Sequence, residues 1–149
     1  MSEFSWRLRV TSAGAEAARV STRKHQFAVG RPLEFDAQYE GVTALEYALG
    51  ALGAEIVMGL RVFAKRRRMT LDEVEAVVDA ELSHALTYLE VVGEDGHPVV
   101  SRVAIKVFVA SPHDEAALRQ LWDDVLARLP LVQTFRPTVD LALELIVTG

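Results

Sequence analysis

The chain has 149 residues, half of them apolar and a quarter charged, with a formal net charge of −5 and no cysteine. That length is one domain's worth and is enough to bury a core. The acidic balance argues against a nucleic-acid partner, and the missing thiols exclude disulfides, thiolate metal sites and cysteine nucleophiles.

Met1-Ser2-Glu3-Phe4-Ser5-Trp6 has no basic-then-apolar leader, so the expected location is cytoplasmic. Phe4, Trp6, Leu8 and Val10 alternate with Ser5, Arg7 and Arg9, the pattern of a half-buried strand over 4–10. Thr11 to Ala15 reads as a turn. Segments 18–22 and 25–29 read as two more short strands, which predicts an antiparallel meander. Gly30-Arg31-Pro32 ends it, and Glu34 to Val42 forms a polar connection.

Thr43 to Ala64, with the basic tail Lys65-Arg66-Arg67-Arg68, reads as one long helix. Thr43 and Glu46 have capping-box spacing. The cations at the far end face the negative pole of the helix dipole and read as a solvated terminus. The helix is apolar on nearly every face, as in a buried core helix or a membrane span. Spanning is not expected, because Glu46, Glu55 and Arg61 would each cost up to about 3 kcal/mol in lipid. Gly50, Gly53 and Gly59 would let other groups approach closely. About 26 residues at about 1.5 Å each match the diameter of a compact chain of this size. Such a helix wants apolar cover on all sides, so an intertwined homodimer is predicted.

Val74 to Leu82 alternates with acidic residues and predicts a strand with one acidic face. Leu86 to Val92 reads equally as strand or loop. Gly93 to Pro98 is a turn, with Asp95-Gly96 supplying a positive φ. Val99 to Ala110 alternates as a strand. Ser111 and Pro112 read as N-cap and first residue of a second helix. Its apolar stripe is Leu118, Leu121, Trp122, Val125, Leu126 and Leu129, and Pro130 stops it. Leu131 to Pro137 is a connection, and Thr138 to Val147 a final strand. The predicted order is β-β-β-α-β-β-α-β in a single α+β domain, 1–149, with a long buried central helix.

His25, His84, His97 and His113 are scattered without metal-ligand spacing, so no metal site is expected. With no nucleophile elbow and no glycine-rich phosphate loop, no cofactor is expected either. Trp6, Tyr47, Phe63 and Trp122 read as core or dimer packing.

Thr43-Ala44-Leu45-Glu46-Tyr47-Ala48-Leu49-Gly50-Ala51-Leu52-Gly53-Ala54-Glu55 resembles the helix motif T-P-x-E-L-L-L-A-A-L-G-A-C of the OsmC/Ohr family. These are osmotically inducible and organic-hydroperoxide-resistance proteins. Met58 to Ala64 is similar to the family's M-x-L-R-x-x-A, and Leu129-Pro130-Leu131-Val132-Gln133-Thr134-Phe135-Arg136 to its C/S-P-V-x-x-T-L-R. A weaker match is His25 to Val29 with Pro32. The resemblance implies an OsmC-like fold and a link to oxidative-stress and hydroperoxide response. In that family a reactive cysteine on the long helix attacks the hydroperoxide and a second cysteine resolves the sulfenic acid.

Here Glu55 stands at the first position and Leu129 at the second. Gly14-Ala15-Glu16 stands where the Ohr branch places an arginine, with Arg19 and Arg23 near by. Glu46, the helix-start glutamate, is retained. A carboxylate cannot replace the thiol as a reductant, so thiol peroxidase activity is expected to be absent.

Glu55 then has two readings. It lies at the edge of the inherited pocket, solvated or paired with an arginine, or it is a ligand-binding or acid/base carboxylate in a partly apolar pocket. Glu46, nine positions earlier, faces the opposite side of the helix. The chain therefore reads as a non-catalytic or small-ligand-binding homodimer, its ligand small, partly apolar and near Glu55. The alternative is an enzyme using Glu55 as acid or base.

Overall fold

The computed structural model describes residues 4–149, so the N-terminal reading of residues 1–3 lies outside the described residues. The chain divides into two compact units, 1–49 and 50–149.

In the first unit β1 (Arg9–Ser12), β2 (Ala18–Thr22) and β3 (His25–Val29) form an antiparallel sheet in the order β1-β2-β3. The meander is as predicted, but β1 begins later. Arg9 is paired with Ser21, and β2 turns at Arg23, where φ is 52°. Residues 4–8 thus have no strand beside them in this unit. Residues 4–10 are exposed throughout rather than half-buried, Trp6 at 80% and Val10 at 60%, and only Val20 of this sheet is buried. The connection that follows is tied to the start of the long helix α1 (Ala44–Arg66). The free N–H groups of Ala44 and Leu45 donate to the carbonyls of Arg31 (3.0 Å) and Pro32 (3.1 Å). Gly30 and Gly41 make room for Tyr39. A Cβ at either would meet its hydroxyl, at 2.3 and 2.6 Å.

The second unit holds β4 (Glu73–Ser83), α2 (Ala85–Tyr88), β5 (Val99–Ala110), α3 (Glu115–Leu126), α4 (Pro130–Phe135) and β6 (Asp140–Thr148). The sheet order is β4-β5-β6. The β4/β5 pair is antiparallel and the β5/β6 pair parallel, because α3 and α4 carry the chain back to the starting end. Period-two patterning decides the faces: Val103, Ile105, Val107 and Val109 of β5 are buried, and Arg102 and Lys106 are exposed. The core closes with Leu52, Ile56 and Leu60 of α1, Leu118, Leu121 and Val125 of α3, and Val132 of α4.

By length and composition α1 could cross a membrane. In the structure it buries one stripe, Leu52, Gly53, Ile56, Gly59, Leu60 and Ala64. The side chain of Arg61 donates to the carbonyls of Leu71 and, at 3.4 Å, Asp72, which fixes the exit into β4. The other face, Ala51, Ala54, Met58 and Val62, stays exposed within the chain.

Four local readings change. In residues 86–92 the first part is helix, α2 over Ala85–Tyr88 after a left-handed His84 at φ 57°, and only 89–92 are the loop that was one of the two readings. In the following turn the positive φ belongs to Gly93 (90°), not Gly96. The cap of α3 is Asp114, whose carboxylate accepts from the Ala117 N–H at 2.8 Å. Ser111 is drawn away, donating to the Thr70 carbonyl at 2.6 Å and accepting from the His113 N–H at 3.2 Å. Finally, the segment after Leu129 is helix α4 rather than a connection.

Candidate functional site

Helix α4 begins with a deficit. Its N-cap is Leu129, which has no side-chain acceptor, and Pro130 fills the first turn without an N–H. The next two amides, Leu131 and Val132, need an acceptor at a helix N-terminus, where the dipole favours an anion. Glu55 supplies it from the middle of α1. Its Oε2 accepts from the Leu131 N–H at 2.7 Å and its Oε1 from the Val132 N–H at 3.1 Å.

Leu129 itself is 5% exposed and packs onto Gly59, one turn along α1 from Glu55. A Cβ at Gly59 would come within 2.7 Å of Leu129 Cδ2 and 3.2 Å of Val125 Cγ1. Positions 55 and 129 thus meet in one neighbourhood. The contact there is a carboxylate on two backbone amides beside an aliphatic side chain on a glycine. No arginine pairs with Glu55 among the described residues. Arg61 is committed to the carbonyls of Leu71 and Asp72, and Arg67 to Asp124 at 2.9 Å. Glu55 is not among the residues that line the cleft of α3, α4 and β6 or the one beside Gly53, Ala54 and Met58.

Glu46 lies in the first unit. Its Oε1 accepts from the backbone N–H and the hydroxyl of Thr43, both at 2.9 Å, and the Glu46 N–H donates to Thr43 Oγ1 at 3.0 Å. This is the reciprocal capping box. The Thr43 amide, and then its hydroxyl, hold the Glu46 carboxyl below its ordinary range. Beside it, Tyr47 donates to the Ala28 carbonyl at 2.8 Å and stacks obliquely on Phe27, with centroids 5.5 Å apart.

One cluster was not read from the sequence. Arg31 donates to Glu16 at 2.7 Å and also to Glu34, and its guanidinium lies 5.0 Å over the Tyr39 ring. Bonding to Arg31 holds both carboxyls below their ordinary range and raises the guanidinium. Glu16 lies in the segment Gly14-Ala15-Glu16, which the resemblance sets where the Ohr branch places an arginine. An acid stands there, and its cation comes from the far side of the meander. Arg19 and Arg23, the nearer arginines in sequence, are not its partners. The Arg31–Glu16 pairing spans 15 residues, so no local pattern announces it. Among the described residues no group of three or more His, Asp or Glu is placed to hold a metal.

A family model described as OsmC-like protein matches residues 36–144. The chain belongs to the OsmC-like family. Solved structures agree on the fold. An OsmC-like protein from Mycoplasma pneumoniae is 16% identical at a TM-score of 0.78, covering 99% of this chain and 98% of that one. The organic hydroperoxide resistance protein OhrB of Bacillus subtilis is 17% identical at a TM-score of 0.61, covering 94% and 98%. An organic hydroperoxide resistance protein OsmC from Legionella pneumophila is 12% identical at 0.65, covering 99% and 100%. No curated protein matches. The OsmC-like fold, α+β with its long helix, is therefore the fold of this chain, and it carries no cysteine at all.

Proposed function

We propose that this OsmC-like protein is a non-catalytic homodimer of the family's hydroperoxide and stress response, its thiol site converted into a structural clip. The observation that carries this reading is the Glu55 carboxylate. Each of its oxygens is bonded to an amide of α4, at the place where the family would hold a reactive thiolate. The alternative, Glu55 as acid or base on a small ligand, is supported less well. A general base needs an oxygen within reach of substrate, and both oxygens of this carboxylate are taken by backbone amides.

Self-association is supported by apolar surface left uncovered in each unit. Trp6, Leu8 and Val10 project from the first, and Ala51, Ala54, Met58 and Val62 line α1 in the second. Contiguous apolar surface of this kind marks interaction sites.

The test is direct. Purified protein with a dithiol reductant should consume cumene or t-butyl hydroperoxide no faster than buffer. Saturable consumption would overturn the reading. Glu55→Gln should leave that baseline where it is and lower stability instead.

A further inference from the structure

We propose that the cleft between α3, α4 and β6 binds a small zwitterion with an apolar side chain, of the amino-acid class. This site is separate from Glu55, so it stands or falls independently of the clip.

The cleft has a volume of about 680 Å³, within the range of small-molecule sites. Asp123 in the last turn of α3 and Gln133 and Arg136 of the α4 segment all line it. Leu126, Leu141 and Leu143 add apolar lining. Asp123 and Arg136 carry opposite charges in one cleft, yet they form no ion pair, and neither charged group has a partner among the described residues. Their neighbours are committed. Arg67 pairs with Asp124 at 2.9 Å, Arg119 with Glu115 at 2.7 Å, Arg102 with Asp140 at 3.1 Å, and Arg128 donates to the Asp124 carbonyl at 2.8 Å.

An unpaired cation and an unpaired anion in one partly apolar cleft define the ligand by complement. A carboxylate suits the guanidinium fork of Arg136, which can bond it at two points. An ammonium suits Asp123, at the negative pole of α3. Gln133 is anchored through Nε2 to the Leu126 carbonyl at 2.9 Å, which turns its remaining amide oxygen into a fixed acceptor for the same ammonium. A ligand with one charge would leave one of the two residues unmatched.

The test uses the full chain labelled with nitrogen-15 and three probes that differ by one group: L-leucine, 4-methylpentanoate and 3-methylbutylamine. Leucine should shift the amides of Gln133, Arg136 and Leu141 to Leu143. It should bind roughly tenfold more tightly than either singly charged probe, as one added charge-assisted contact implies. Asp123→Asn should abolish the advantage of leucine over the acid, and Arg136→Gln its advantage over the amine. The same spectra report that each variant is folded. No shift in this cleft up to about 10 mM leucine, a range that reaches binding weaker than 1 mM, would overturn the proposal. Equal affinity for all three probes, or shifts confined to other surfaces, would do so too.

Discussion

At position 55 a carboxylate accepts from two amides of the first turn of α4, for which neither Leu129 nor Pro130 carries a side-chain acceptor. Removing it leaves buried or half-buried N–H groups unpaired, at about 1–3 kcal/mol. Glu55→Ala should therefore lower the unfolding free energy by about 2 kcal/mol in urea titration, with Glu55→Gln losing less because one amide oxygen remains. An unchanged midpoint for the alanine variant would contradict the clip.

The capping box has its own signature. Thr43→Ala should cost about 1 kcal/mol. The Glu46 carboxyl is held below its ordinary range in the folded chain. Its contribution is then full above the ordinary carboxyl range and is lost as pH falls through the lowered value. The stability gap between wild type and Glu46→Ala should accordingly be constant near neutrality and close in acid. A gap that widens on acidification would reverse the sign and refute the assignment.

Among the elements, α1 shows how one glycine can be indispensable. Alanine is the better helix former by about 1 kcal/mol, but at Gly59 its Cβ would press on Leu129 and Val125, both buried. Overpacking of that kind costs about 1–3 kcal/mol. Gly59→Ala should thus be net destabilising in thermal unfolding despite its propensity.

β5 and α3 were legible from periodicity because each is long enough to show a face, and the long helix from its capping box, its basic end and a long apolar run without proline. Helix α4 was not. Its six residues are too few for a period, and its cap comes from a side chain 76 positions away. Leu-Pro before an apolar turn, with no capping side chain, was the one local sign that an acceptor had to arrive from elsewhere. The cap of α3 was misplaced for a related reason. Ser111-Pro112 has capping chemistry, but the Thr70 carbonyl takes its hydroxyl and leaves the task to Asp114.

For the whole molecule, the uncovered faces set the expectation. Light scattering at micromolar concentration should give twice the chain mass of 16.4 kDa. Met58 is 57% exposed on the open face of α1. Met58→Glu would place a charge in an apolar contact, where an unpaired charge is strongly disfavoured. It should shift the protein to monomer without altering the far-ultraviolet circular dichroism. A wild-type mass of one chain would remove the homodimer.

Composition and motif spacing alone determined the six strands and two longer helices in their order, the family resemblance and the impossibility of thiol chemistry, since these depend on residue identity and local period. What Glu55 does was decided only in three dimensions. A carboxylate's role is set by the groups that reach its oxygens, and here those are two backbone amides that no linear pattern announces. The same holds for Arg31, whose partners are brought to it by the turn of the meander, and for Asp123 and Arg136, which share a cleft only because α3, α4 and β6 converge.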